Sequence, residues 1–352
     1  MEGVLKDRIR ESNGVYRGVA LIMLVASATG LLPAWLDEGF KLIAFPLLFA
    51  SVGVELFCDD STKDVRAALK NAIVRFLIPY AAFSVIYIII RLMPFFDMSN
   101  ESGGENIQGL IADAVSFYGI SVLWVFPTAF IAVAVYCAVV RFMSARSLTI
   151  MTALMTLSFT VIISLTELFP YNFIIEGGTG AGGYMARISI VFLRGLYGLF
   201  FVCCGSICTE FSSKVKERRM RLGIPGGLFL AAGIATSVLM DMDVDWQKLY
   251  FLNAVPMLFA SAFFTAGLWF ICAWVERVYP LNFFGDNAAA VLVSFRDLGA
   301  LGLATLVGDN IFKAFDNNFA TRLSVAIVLI AAEIVWILVL RLPGIRVIVG
   351  KK

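Results

Sequence analysis

The chain has 352 residues, of which 60% are hydrophobic and 15% are charged, and its mean hydropathy is +0.87. This composition is too apolar for a soluble protein of two or three domains and is typical of an integral membrane protein. The net charge of +2 gives no reason to expect nucleic acid as a partner, because the basic residues are distributed among connecting segments and not pooled in one patch.

Ten apolar stretches are long enough to cross a lipid bilayer as helices. In chain order they cover residues 15–35, 40–57, 72–92, 118–140, 148–169, 185–207, 223–240, 250–275, 287–312 and 319–340. No internal repeat and no separate soluble domain is visible in the sequence. We therefore expect an all-α polytopic membrane protein, a bundle of about ten transmembrane helices that forms one domain over residues 1–352.

The basic residues predict the orientation of these helices. With a cytoplasmic N-terminus, eighteen lysines and arginines fall on the inner side, against Lys41, Lys248 and Lys313 on the outer side. Cytoplasmic segments carry an excess of basic residues, and one missed helix would exchange the sides of all later segments. The sequence therefore predicts a multi-pass cell-membrane protein with both termini in the cytoplasm. A signal peptide ending at Ala26-Ser27-Ala28 is the alternative, although the apolar run continues past this site.

The six cysteines do not indicate a metal centre or a disulfide framework. Cys203-Cys204-x3-Cys208 lacks a histidine and a second cysteine pair nearby, both of which are usual in zinc sites. Small, polarizable residues that pack between helices are the favoured interpretation, and no metal is expected.

Two positions in the first predicted helix lie on one helix face. Arg17 and Ala28 are eleven residues apart, which is 1100° of rotation and about 16 Å of rise along an α-helix. The segment resembles the first helix of the membrane-bound acyltransferase-3 family, in which an arginine is followed, after ten residues, by a histidine. In this chain Ala28 stands at the histidine position, and the sequence contains no histidine.

Shorter resemblances to the same family follow in order along the chain. Leu123-Trp124-Val125-Phe126-Pro127 is similar to the family's Leu-Trp-Phe-Leu-Pro segment, and Gly285-Asp286-Asn287-Ala288 resembles its Gly-Lys-Asn-Ser. Residues 45–53 and 75–80 are similar to the family's second helix and to the start of its third helix. The basic tail over residues 342–352 is similar to the family's C-terminus. The resemblance therefore covers nearly the whole chain.

The resemblance implies a role in cell-envelope or glycan metabolism. Family members move an acyl group from acyl-CoA to a hydroxyl, with the first-helix histidine as general base. Histidine suits this step because its unperturbed pKa of about 6.5 lets it accept and return a proton near neutral pH. Ala28 can do neither, and Phe295 stands at the position of a second family histidine. We expect histidine-based transfer to be absent, leaving a degenerate site that serves as a binding or partner scaffold.

Two other functions stay open at this point. One is an active O-acyltransferase that moves an acyl group from acyl-CoA to a glycan hydroxyl through a different base. Ser27 and Glu55 are the nearest candidates in sequence for that base, but Glu55 is expected several helical turns away from the depth of Ala28. The other function is transport of a glycan or a small metabolite. No bound cofactor is expected, and acyl-CoA is a possible co-substrate.

Ionisable side chains inside predicted helices indicate where a ligand could bind. Charges at such depth are costly, so they should face the bundle interior or a hydrated cavity. One interpretation is structural pairing, for example of Arg296 with Glu333. In the other, an anionic small molecule, acyl-CoA or glycan follows a route of guanidinium groups, because guanidinium binds phosphate or carboxylate in a bidentate fork. The candidate ligand-binding residues of that route are Arg17, Arg75, Arg194 and Arg296.

Overall fold

The computed structural model of the protein describes residues 2–28, 32–59, 64–92, 107–166, 178–215, 220–239, 243–294 and 319–342. The first half of this part contains α1 (Glu2–Ala28), α2 (Ala34–Cys58), α3 (Val65–Ala72), α4 (Ile78–Leu92), α5 (Ile107–Val115), α6 (Val125–Val139) and α7 (Ala145–Thr166). A π-helical turn, Ile73–Leu77, joins α3 to α4, and a 3₁₀ turn, Ser121–Trp124, precedes α6.

The second half contains α8 (Ala181–Lys214), α9 (Met220–Val238), α10 (Ala254–Val275), α11 (Tyr279–Asp286), α12 (Ala288–Ser294) and α13 (Phe319–Leu340). Strands β1 (Val244–Asp245) and β2 (Tyr250–Phe251) form a small antiparallel hairpin between α9 and α10, with Val244 opposite Phe251.

Seven helices in the described part of the chain are long and apolar enough to cross a membrane. They are Trp35–Cys58, Val65–Ile90, Ser121–Val139, Ala145–Leu165, Ala181–Lys214, Arg221–Val238 and Ala254–Val275, and Ile327–Leu340 is a shorter apolar helix. The prediction of an all-α, multi-pass membrane protein is confirmed at this level. The number of ten spans stays a prediction. Of the predicted stretch 287–312, only residues 287–294 belong to the described part of the chain.

Helix α1 starts earlier than its apolar stretch, at Glu2 and not near residue 15. Hydropathy does not show this extension because its buried face includes polar side chains. Ser12 and Asn13 are both buried, and Asn13 donates a hydrogen bond through Nδ2 to the carbonyl oxygen of Ser51 on α2, at 3.1 Å. The extension therefore belongs to the packed bundle and continues the face that carries Arg17.

Helix α8 lies at the centre of the bundle and packs against α2, α6, α7 and α10. Its contact with α2 is close because glycines occupy the crossing. A Cβ atom at Gly53 would lie 1.9 Å from the carbonyl oxygen of Val202, and one at Gly205 would lie 2.0 Å from that of Ala50. Small residues allow helix backbones to approach in this way in membrane proteins.

A second close crossing joins α1 to the short helix α11. A Cβ atom at Gly18 would lie 2.1 Å from the carbonyl oxygen of Leu281, and one at Gly285 would lie 1.9 Å from that of Gly14. This crossing holds the end of α11, with Asp286, beside Arg17. The α1–α11 crossing thus places Asp286 near Arg17, whereas Glu55 is brought to Arg17 by the packing of α1 on α2.

Candidate functional site

A chamber of about 480 Å³ opens at the end of the bundle where α1 begins and α2 ends. It lies among α1, α2, α3, the π-helical turn and the end of α11. Its apolar wall includes Val52, Leu56, Phe76 and Val133. Its charged side chains are Arg10, Arg17, Glu55, Asp59, Arg75 and Asp286. Three of these are basic and three are acidic, so the chamber wall carries no net charge.

Arg17 connects three helices within the chamber. Its Nη1 donates a hydrogen bond to Oε1 of Glu55 on α2, and its Nη2 lies 3.8 Å from Oδ1 of Asp286 on α11. The second separation is longer than a hydrogen bond. Its Nε is buried without a hydrogen-bond partner in the described part of the chain. Arg17, with a side chain only 14% exposed, therefore keeps donor capacity that its protein neighbours do not use.

Glu55 bridges Arg17 to Arg75. One carboxylate oxygen accepts the hydrogen bond from Arg17, and the other forms an ion pair with Nη1 of Arg75. A carboxylate between two guanidinium groups has the arrangement in which arginine pairs recognise phosphate or carboxylate ligands. The structure thus brings Arg17 and Arg75, two of the four predicted ligand-binding residues, to one carboxylate, and their binding of a ligand stays a prediction.

Arg75 occupies the middle of the π-helical turn. Such turns are rare inside helices and are frequent at functional sites, where the extra residue redirects a side chain. The Arg75 side chain is 41% exposed, and its Cζ lies 5.1 Å from the centre of the Phe76 ring. Arg75 is thus the more open of the two arginines that bind Glu55.

A smaller recess of about 60 Å³ lies beside the chamber and shares Arg17 and Arg75 with its wall. The remaining wall is largely apolar and includes Leu48, Phe126 and Leu292. This volume is about that of two water molecules. The two guanidinium groups therefore lie between the larger, charged chamber and a small, largely apolar recess.

Arg194 lies in a different part of the bundle. Its side chain is 2% exposed, its Nη1 donates a hydrogen bond to the carbonyl oxygen of Tyr118 at 2.9 Å, and its Cζ lies 5.3 Å from the Trp124 ring. Trp124 packs against Phe49, which lines the apolar recess. The described residues therefore do not join Arg194 to the chamber, and aromatic side chains separate the two.

Arg296, the fourth predicted ligand-binding residue, lies outside the described part of the chain, as does Phe295. The suggested pairing of Arg296 with Glu333 therefore has no description in the structure. Glu333 is 1% exposed, and its Oε2 accepts a hydrogen bond from Oγ of Ser294 at 2.8 Å. This contact joins α12 to α13.

Ala28 is the last residue of α1, and the side chain of the preceding residue, Ser27, contacts a carboxylate. Oγ of Ser27 donates a hydrogen bond to Oδ1 of Asp37, and Oδ2 of Asp37 lies 2.7 Å from Nζ of Lys41. The sequence analysis did not select Asp37, although a short connection between α1 and α2 makes such a contact possible. Glu55, by contrast, contacts Arg17, eleven residues before Ala28 on α1. Asp37 is therefore a carboxylate in contact with the residue that precedes Ala28.

Asp286 and Arg10 were also missed as chamber residues. Asp286 belongs to a short segment that the sequence analysis used only for its resemblance to the acyltransferase-3 family. Arg10 precedes the first apolar stretch and was counted only among the basic residues of the cytoplasmic side. A helix that extends through residue 10 places Arg10 about two turns before Arg17 on nearly the same helix face.

The cysteines are free thiols, and five of the six are buried in the bundle. Within the described residues, no group of three or more cysteine or acidic side chains is arranged to hold a metal ion.

No protein-family model matches the chain, and no curated protein matches it. The geometry of the chamber and the chemistry of its residues are therefore the basis for assigning a function.

Proposed function

We propose that this chain is an acyltransferase-3-like cell-membrane protein that binds a phosphoryl-bearing anion in the chamber and lacks histidine-based acyl transfer. The observation that supports this function is the convergence of Arg17 and Arg75 on one carboxylate at the edge of an open chamber. In this proposal the protein belongs to cell-envelope or glycan metabolism and serves as a binding or partner scaffold.

The proposed topology has ten spans, with both termini and the chamber mouth on the cytoplasmic side. The division of basic residues, eighteen to three, supports this orientation. The chamber end also carries Arg146, Lys214 and Arg277 in ion pairs with acidic partners. A cytoplasmic mouth would give access to phosphorylated metabolites and to acyl-CoA.

A phosphoryl group suits the chamber better than a neutral ligand does. Each guanidinium offers several donors in a fixed fork, and two forks can share the three oxygens of a terminal phosphoryl group. The unused Nε of Arg17 adds a donor that is buried within the site. The apolar recess behind the arginines can accept a small apolar part of the same ligand.

One observation favours the enzyme alternative. The Ser27–Asp37 contact provides a hydroxyl and a carboxylate next to Ala28, where the family has its base. Asp37 also forms an ion pair with Lys41, one turn further along α2. If acyl transfer occurs, Asp37 is the residue we propose as its base in place of Glu55.

Calorimetric titration of inorganic pyrophosphate into the full chain, held in nanodiscs of neutral lipid, tests the binding proposal. Arg17→Ala should weaken binding about tenfold or more, because at least one charge-assisted hydrogen bond to the ligand is lost. Arg146→Ala is the matched control, since this arginine is exposed and ion-paired at the same end but outside the chamber.

A parallel titration in nanodiscs that contain phosphatidic acid distinguishes a soluble ligand from a lipid headgroup. Weaker pyrophosphate binding in these discs would indicate that the headgroup competes for the chamber. Equal losses in Arg17→Ala and Arg146→Ala would contradict the proposed site.

A further inference from the structure

Glu55 occupies the position between Arg17 and Arg75 that the anionic group of a ligand would take. We propose that Glu55 is an internal occupant of the phosphoryl site, which a ligand with two or more negative charges displaces. This inference rests on the proposed function, because it assumes that the chamber binds anions. It adds a selection rule that the arginines alone would not provide.

The charge of the chamber wall supports a competing role for Glu55. With Glu55 in place the wall has three basic and three acidic side chains, so it offers no net attraction to an incoming anion. When the Glu55 carboxylate moves away from Arg17 and Arg75, their two guanidinium groups present a local charge of +2 to the ligand. The exchange is favourable only for a group that interacts more strongly with both guanidinium groups than one carboxylate does.

The selection rule follows from this comparison. A monocarboxylate or chloride ion carries no more charge than Glu55, and it loses translational and rotational entropy when it binds. Glu55 is attached to α2 beside the site, so its carboxylate loses much less entropy when it binds the arginines. A pyrophosphate or phosphomonoester group carries at least two charges near neutral pH and can bind both arginines at once. We therefore infer that the chamber accepts multiply charged phosphoryl groups and excludes monoanions.

The structure provides a way for Glu55 to leave. Its side chain is 23% exposed and lines a chamber with room for a solvated carboxylate. Arg10 lines the same chamber, is 62% exposed and can receive the displaced carboxylate. Arg75 lies in the π-helical turn and is more exposed than Arg17, so the Arg75 half of the bridge is the half that opens first.

The test compares Glu55→Gln with the natural chain in neutral-lipid nanodiscs, with pyrophosphate and acetate as probes. Glutamine keeps the size of the side chain and removes the charge that competes with the ligand. Pyrophosphate should bind about tenfold more tightly to Glu55→Gln, because the ligand no longer has to break charge-assisted hydrogen bonds. Acetate should compete with pyrophosphate in this variant and not in the natural chain.

Glu210→Gln is the matched control. Glu210 also bridges two basic side chains at this end of the bundle, Arg146 at 2.7 Å and Lys214 at 2.5 Å, but it does not line the chamber. Its substitution should leave pyrophosphate affinity unchanged. Thermal unfolding of each variant in the same nanodiscs verifies that the compared chains are folded.

Glu55→Asp provides a second variant if Glu55→Gln does not fold. Aspartate keeps the charge but is one methylene shorter, so it cannot hold both arginines as the glutamate does. Its pyrophosphate affinity should lie between those of the natural chain and Glu55→Gln.

Unchanged or weaker pyrophosphate binding in the Glu55 variants, with measurable binding to the natural chain, would overturn this inference and leave the proposed function intact. If neither the natural chain nor any Glu55 variant binds pyrophosphate, the proposed function fails as well. Binding by Glu55→Gln alone would support both.

Discussion

A methyl group added at Gly53 tests the close approach of α2 and α8 beneath the chamber. The Cβ atom of alanine would lie 1.9 Å from the carbonyl oxygen of Val202 and 3.1 Å from the backbone nitrogen of Ser206. Neither atom belongs to a side chain that can rotate away. Restoring ordinary contact at 3.4 Å would require the two helices to separate by about 1.5 Å.

The matched control is Gly39→Ala in the same helix, where an added Cβ meets no atom within 4 Å. Replacing glycine by alanine in a helix interior stabilises it by up to about 1 kcal/mol, and this gain applies to both variants. Gly53→Ala also carries an overpacking cost of about 3 kcal/mol, near the upper end of the usual range because backbone has to move. The free energy of unfolding should therefore differ by about 3 kcal/mol between the two variants.

Unfolding by sodium dodecyl sulfate in mixed micelles, followed by the loss of helical circular dichroism, measures this difference. Glu55 is two residues from Gly53, so the shift of α2 should also weaken the contacts of Glu55 with its two arginines. A difference below about 0.5 kcal/mol between the variants would refute the close crossing, because surface-like substitutions fall within that range.

Three further predictions concern the buried arginine, acyl transfer and topology. Arg194→Met should change pyrophosphate affinity less than about twofold and unfolding free energy by no more than about 1 kcal/mol, because a buried, incompletely paired cation is replaced by an apolar side chain of similar length. Calorimetric titration and detergent unfolding measure both quantities, and a large loss of affinity would restore Arg194 to the ligand route. Turnover of labelled acetyl-CoA with glycan acceptors should be negligible, since a general base contributes roughly 10² to 10⁴ in rate. Transfer abolished by Asp37→Asn would instead identify a replacement base, and transfer abolished by Glu55→Gln alone would identify Glu55. Maleimide should label Asn71→Cys from the cytoplasmic side and Lys248→Cys from the external side of intact cells. Labelling of both residues from one side would overturn the topology.

Several features of this protein were predictable from local sequence. Long apolar stretches specify helices, because backbone groups in a bilayer must bond within the segment. Nine of the ten predicted apolar stretches overlap helices that the structure describes. The remaining stretch, 287–312, is described only as far as residue 294. The arginines at positions 17 and 75 were selected because a charge near an apolar stretch needs a polar environment. The number of spans and their orientation stay predictions.

Local sequence did not reveal which of these charges meet. Arg17 and Glu55 are 38 residues apart, and their contact depends on how α1 and α2 pack. The arginines were grouped by chemistry, yet Arg194 lies behind Trp124 and Phe49 in a separate environment. Asp37 was missed because its meaning arises only from its contact with Ser27.

The sequence by itself thus determined that the chain forms apolar helices with a few embedded charges and no histidine. The tertiary structure decided that Glu55 sits between Arg17 and Arg75 at the edge of a chamber. The physical reason is that hydropathy and charge are properties of each segment, whereas an ion pair depends on the distance and rotation between two helices. Here α1 packs directly on α2, with the Asn13–Ser51 hydrogen bond between them, while the close crossings at Gly18 and Gly53 hold α1 against α11 and α2 against α8.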